Sequence, residues 1–282
     1  MEKAKAHYLQ MILEHESHSA HIPIIAEVFQ DLKVIADTID IEEGKGMDSL
    51  AHRIQVRTLI NAVTAIMSSI VILLKEKHFE GVDPLGRVVL EHSINIMYLF
   101  IGKPKVHSKQ FVRNYIDTTL KKSERWHAYT LKSSDEIEQE IAENKLKLLK
   151  KMKNDHPGLY DGTIKKWPNA HDRFLKVGHE SAYVTLFAMN SDSIHGLSED
   201  VYNNCLLPNY PDELAPYVMR HYKALSSSMS IYLAMKSVAF FGLAINAISE
   251  RLKSSHDIEA ILVKLNDAAS QHEGENLERW LS

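Results

Sequence analysis

One predicted helix, DPLGRVVLEHSINIMYLFI, carries the side chains with the clearest chemical potential. At about 100° per residue, four of its polar side chains share an arc of roughly 80°: Arg87, Glu91, Asn95 and Tyr98. Nearly every other position is apolar, which is typical of a buried helix. Arg87 and Glu91 must then pair with each other or with groups of a neighbouring helix, because an unpaired buried charge is costly. The alternative is a solvent-facing stripe with an ordinary i,i+4 ion pair.

A second group of polar residues lies farther along the chain. Tyr183 is followed by the run Ser191-x-x-x-His195-Gly. Together with the Arg87-x-x-x-Glu91 element, this pattern resembles the bacterial DUF5677 family, an all-helical group of unsettled function. The resemblance implies one polar centre of Arg87, Glu91, Tyr183, Ser191 and His195, and does not specify a reaction. Asn95 and Tyr98, which share the polar stripe of the first helix, are further binding candidates.

A weaker similarity connects the chain to HEPN-type helical ribonucleases, which carry an Arg-x(4–6)-His motif and cut RNA without metal. Three pairs have this spacing, about as many as chance gives: Arg87 with His92, Arg173 with His179, and Arg251 with His256. In that interpretation Arg87 stabilises developing negative charge, Glu91 orients Arg87, and His195 acts as acid or base. The resemblance allows a role in bacterial stress or phage defence.

The other chemical classes receive little support. Sixteen histidines raise the question of metal binding, but His15, His18 and His21 drift around a regular helix, so ordinary surface histidines are favoured. Neither a His-Glu-x-x-His motif nor a glycine-rich phosphate loop occurs. Ser191 and His195 lie one turn apart on one element, whereas a triad assembles from separate elements. We therefore predict no metal and no cofactor, and His195 equally suits a helix C-terminus.

The elements that must position these residues are helices. Nearly every segment has the 3.6-residue period and almost none alternates with period two, while the 11 glycines and 8 prolines are few for an all-β protein. We predict an all-α, multi-helix bundle. Its helices are expected near residues 3–18, 23–40, 47–78, 84–101, 105–131, 134–154, 169–177, 179–195, 212–252 and 255–270, with Asp83 as N-cap and Pro84 as the first residue of the fourth.

The segment 132–168 differs from the rest of the predicted single domain, 1–282. Its first half is acidic and its second half is rich in lysine, an order that suits the helix macrodipole. Ser133 and Glu136 have the spacing of a capping box. We interpret 132–168 as a charged peripheral helix-plus-loop arm. It either packs on one edge of the bundle or protrudes to contact a partner, with its lysine end facing a polyanion.

Composition narrows the setting of the protein. The formal net charge of −4 over 282 residues does not indicate a general affinity for nucleic acid, although a local basic patch is possible. A single cysteine, Cys205, suits a reducing compartment, so we predict a cytoplasmic protein without a membrane span, its apolar stretches 60–74 and 228–248 being core helices. We expect a homodimer with a protein partner or RNA. The function we favour is a binding or assembly module with a structural polar centre, and the alternative is a HEPN-like ribonuclease.

Overall fold

The computed structural model describes residues 1–41, 47–188, 201, 205–254 and 256–280, with only the backbone of 47–49 and 273–280. Within these residues the chain contains helices and no strands, so the predicted all-α class is confirmed. The α-helices are α1 (Glu2–Ser17), α2 (Ile22–Thr38), α3 (Met47–Lys75), α4 (Val82–Phe100), α5 (Pro104–Thr130), α6 (Glu136–Asp155), α7 (Ala170–Lys176), α8 (Glu180–Ala182), α9 (Ala215–Leu252) and α10 (Ile258–Trp280).

The chain divides into two compact units, and the division falls within α3. Unit 1 comprises Met1–Glu42, Val56–Phe100 and Ala170–Ser282, and unit 2 comprises Glu43–Gln55 and Ile101–Asn169. The segment 132–168 lies in unit 2. The single domain expected over residues 1–282 stays a prediction.

Unit 1 is organised around α9, which packs against α1, α2, α4 and α10. The backbones of α4 and α9 approach closely at Gly86, where a Cβ atom would lie 2.9 Å from Leu233 Cγ and 3.1 Å from Ser237 Oγ. Ser237 Oγ also donates to the carbonyl of Leu233 at 2.8 Å. Small residues on both helices therefore allow this close packing. The packing fixes the position of α4, and of its polar stripe, relative to α9.

Unit 2 is built on the contact between α5 and α6. Its small core consists of Leu120, Leu146 and Leu149, with Met152 packed against them. The N-cap of α6 is Asp135, whose side chain accepts from the backbone N–H of Glu138 at 3.0 Å. The capping box predicted at Ser133 is therefore wrong, because the carboxylate of Asp135 lies nearer the first free N–H groups of the helix.

Two helical stretches are long and apolar enough to cross a membrane, Leu50–Lys75 and Ala215–Leu252. In the described residues, 39% and 67% of their most apolar windows are buried. Core helices often meet the same criterion. These two stretches are therefore only weak evidence for membrane spans.

Two helix boundaries differ from prediction around the candidate site. α4 begins at Val82 rather than after Asp83, because a 3₁₀ turn, Phe79–Gly81, leads directly into it. Of the helix predicted over 179–195, the structure describes residues up to Ala188, and these form the short α8 followed by a π-helical turn, Tyr183–Ala188. Such π turns are rare and are often found at functional sites. The remaining predicted helices correspond to observed ones, with ends shifted by a few residues or more.

Candidate functional site

An ion pair between α4 and α7 forms the centre of the site. The Arg173 Nη2 atom donates to Glu91 Oε1 at 2.7 Å. The side chain of Arg173 is 6% exposed, whereas that of Glu91 is 41% exposed. Burial lowers the pKa of Arg173, and the carboxylate of Glu91 opposes this effect. Glu91 thus pairs with a neighbouring helix, which was one of the two predicted arrangements.

The other arginine of the predicted centre interacts with an aromatic ring. The Arg87 guanidinium carbon lies 4.5 Å from the centroid of the Phe187 ring, a cation–π geometry. In the described residues no ion pair joins Arg87 to Glu91, so the predicted i,i+4 pair is not formed. Phe187 belongs to the π-helical turn, which therefore presents its ring to α4.

Phe187 is one of three aromatic rings that pack together beside the ion pair. The ring centroids of Phe174 and Tyr183 lie 5.3 Å and 5.5 Å from that of Phe187. His171 packs edge-on against Tyr183, with centroids 5.0 Å apart. Tyr183 is thus separated from Arg87 by a single ring, and the predicted link between α4 and this segment is aromatic.

The last two members of the polar stripe are buried. Asn95 and Tyr98 are 6% and 3% exposed, and burial raises the pKa of Tyr98. The Lys176 ammonium lies 5.6 Å from the Tyr98 ring centroid. Asn95 Oδ1 has no hydrogen-bond partner within the described residues. The C-terminal half of the stripe, Asn95 and Tyr98, is therefore buried rather than solvated.

The remaining predicted residues are not all placed. Ser191 and His195 lie outside the described residues. Of the HEPN-like pairs, Arg173 is held by Glu91 and His179 packs on Phe240 with centroids 5.1 Å apart. His92 follows Glu91 on α4, and burial lowers its pKa.

Sequence reasoning missed the partner of Glu91. Arg173 was noted only for its spacing to His179, yet it occupies a short helix beside Phe174, which is fully buried. An arginine flanked by apolar residues on one side is a usable signal of partial burial. Because a partly buried Glu91 needs a cationic partner, this signal could have identified Arg173 as that partner.

The three N-terminal histidines form the second feature that the sequence did not reveal. His15, His18 and His21 are buried, so the surface interpretation is wrong. A 3₁₀ turn at His18–His21 has about three residues per turn, which aligns the side chains that a regular helix would spread. Its His18 ring stacks on His272 with centroids 4.0 Å apart, and Ser228 Oγ lies 2.7 Å from His18 Nδ1.

A cavity of about 610 Å³ opens beside these histidines, between α1 and α9. Its wall includes His15 and Ile231, and its cationic lining residues are Lys77, Arg220 and Lys223. Arg220 is engaged by Glu16, with Nη2 3.0 Å from Oε1. Glu16 lines the cavity as well, and neither Arg173 nor Glu91 is among its lining residues.

The described part of the chain offers no group of three His, Cys, Asp or Glu side chains arranged to hold a metal ion. What the ion pair can do is tie α4 to α7 and hold one buried positive charge. A family model described as "Family of unknown function (DUF5677)" matches residues 53–209, more than half of the chain. Neither curated proteins nor solved structures gave a match.

Proposed function

The chain belongs to the DUF5677 family, and we propose that it is a helical binding or assembly protein whose Arg–Glu centre is structural. The observation that carries the proposal is the bond between Arg173 and Glu91, 2.7 Å long and closed to solvent on the arginine side. A guanidinium so buried cannot approach a substrate without leaving its partner. Charge pairs of this kind are more often structural than catalytic.

The second candidate function is a metal-independent ribonuclease, and Arg87 is the residue that favours it. Arg87 is only partly buried and has no carboxylate partner in the described residues. Its charge is therefore not neutralised by an acid and can stabilise a developing anion, as the HEPN-like interpretation requires. His195 would be the acid or base in this scheme, and a role in stress or phage defence would follow.

An RNA-cleavage assay in EDTA separates the two functions. We expect the wild-type protein, Arg87→Ala and Glu91→Gln to leave a labelled single-stranded RNA intact, while Glu91→Gln unfolds at a lower denaturant concentration. Cleavage by the wild type that disappears in Arg87→Ala, with unchanged circular dichroism and unfolding midpoint, would overturn the proposal in favour of the ribonuclease.

The setting of this function is proposed with it. We expect a homodimer in the cytoplasm, without a membrane span, acting on a protein partner or on RNA. The single exposed cysteine, Cys205, is consistent with a reducing compartment. Fractionation of tagged cells, with the protein recovered in the soluble fraction after washing with salt, checks the location.

A further inference from the structure

The charges of the chain are distributed unevenly along its length. Residues 101–169, the main part of unit 2, contain 15 Lys and Arg against 9 Asp and Glu, a net charge of +6. The rest of the chain contains 18 Lys and Arg against 28 Asp and Glu, a net charge of −10. The overall value of −4 thus hides a basic unit. Such asymmetry is an electrostatic signature of polyanion binding.

One face of α5 concentrates this charge without carboxylates. In the C-terminal half of α5, from Tyr115 onward, an arc of roughly 120° at about 100° per residue collects six side chains: Tyr115, Thr118, Lys121, Lys122, Arg125 and Tyr129. The nearest carboxylates on the same helix, those of Asp117 and Glu124, lie outside the arc. Lys121, Lys122 and Arg125 are exposed and form no ion pair within the described residues. We call these six residues the α5 face.

Two exposed tyrosines frame the three cations. Tyr129 is 68% exposed and Tyr115 is 55% exposed, which is unusual for large rings on a helix that has a packed side. They are about 21 Å apart along the helix axis. Beside the first of them, Tyr115, Thr118 and Lys122 line an open groove of about 460 Å³. Aromatic rings of this kind are the platforms on which unpaired bases stack.

We propose that the α5 face binds single-stranded nucleic acid, with the three cations on phosphates and the two tyrosines stacked on bases. The inference rests on the proposed binding function and names its partner. Cations alone would accept any polyanion, whereas exposed rings interleaved with cations match a strand whose bases are unpaired. The absence of carboxylates from the arc removes the repulsion that such a strand would otherwise meet.

The direct test is fluorescence anisotropy of a labelled single-stranded RNA with the full-length protein in EDTA. Single-stranded DNA, duplex RNA and heparin serve as competitors. We expect both single strands to compete, and duplex and heparin to compete less well because neither presents free base faces. Equal competition by heparin at equal charge would overturn the stacking part of the proposal.

Two sets of variants locate the site. Replacing Lys121, Lys122 and Arg125 together by alanine removes three phosphate contacts, so the slope of log K against log salt should become shallower by about 2. Removing Lys3, Lys33 and Lys75 in unit 1 is the charge-matched control. An equal loss in the control, or no loss in the α5 variant, contradicts the placement on α5.

The tyrosines provide a readout that charge does not move. Tyr129→Ala should weaken RNA binding by about tenfold, as the loss of one stacking platform does, and leave heparin binding unchanged. Tyr129→Phe keeps the ring and should bind like the wild type. Because binding and cleavage are scored separately on one RNA, absence of binding overturns this inference alone, whereas Arg87-dependent cleavage overturns the proposed function alone.

Discussion

At the scale of single residues, the two partners of the central ion pair occupy different environments. Arg173 is almost closed to solvent, while Glu91 retains 41% of its side-chain exposure. Losing a partner is therefore costly for the arginine and cheaper for the glutamate, which water can still solvate. The main contribution of the pair to stability is therefore the counter-charge that Glu91 supplies to the buried Arg173 guanidinium.

The half-buried histidines predict a dependence of stability on pH. Burial lowers the pKa of His179 below its ordinary value of 6.5, so the unfolded chain takes up the proton first as the pH falls. Folding is therefore weakened as the pH drops below about 6.5. Because His179 is only partly buried, its share should stay well below about 1.4 kcal/mol per pH unit.

Urea unfolding at pH 7.5 and pH 5.5 measures this effect. His179→Gln should lose less stability on acidification than the wild type does, since the amide cannot take up a proton. An equal loss in both proteins would mean that His179 does not contribute.

The identities of these residues could be predicted from the sequence only in part. The apolar surroundings of Arg87 and Glu91 predicted only partial burial, because a 3.6-residue period identifies the neighbours on the same helix. The partner on α7 was not identifiable, since its position depends on how two distant segments pack. The burial of His18 was missed because a 3₁₀ turn changes the periodicity on which the interpretation relied.

At the scale of elements, the contact between α4 and α9 sets the position of the polar stripe of α4 relative to α9. The new methyl group of Gly86→Ala meets Leu233 Cγ at 2.9 Å, and overpacking of this kind costs about 1–3 kcal/mol. Because alanine gains roughly 1 kcal/mol over glycine in a helix, the net destabilisation should be up to about 2 kcal/mol. Gly158→Ala, where a Cβ meets nothing within 4 Å, is the control. A Gly86→Ala protein more stable than the wild type would contradict this packing.

Helix positions followed from the sequence, whereas two local details did not. Hydrophobic periodicity located the long helices, including α9, because a bundle core selects one face of each helix. The π-helical turn over Tyr183–Ala188 was read as regular helix, since one extra residue per turn leaves no mark in composition. The N-cap Asp135 was not predicted either, because Ser133, two residues earlier, has the spacing to Glu136 that is typical of a capping box.

At the scale of the whole molecule, the two units differ in charge, and α3 contributes a neutral surface. No charged residue occurs between Thr58 and Leu74, and within this stretch Asn61, Ala65 and Ile72 are exposed. A neutral face can meet its own copy without repulsion, as a two-fold symmetric interface requires. This surface is the one we assign to the expected homodimer.

Ala65→Glu tests the assignment. Two copies of the new carboxylate would face each other across a two-fold axis, so the dimer should dissociate by at least about tenfold more readily. Light scattering coupled to size exclusion measures the mass of the wild type, of Ala65→Glu and of the control Ala20→Glu, which changes an exposed alanine on another element. A monomeric wild type at micromolar concentration would contradict the dimer itself.

The central claim is that Arg173 and Glu91 form a structural pair, and a double-mutant cycle of unfolding free energies tests it most directly. Glu91→Gln should cost about 1–2 kcal/mol, because it leaves a buried guanidinium without its counter-charge. Arg173→Met should cost less, since Glu91 can be hydrated. Combined with Arg173→Met, Glu91→Gln should become nearly neutral, giving a coupling of about 1 kcal/mol or more. A coupling near zero, with the costs of the two single variants simply adding, would contradict a structural pair.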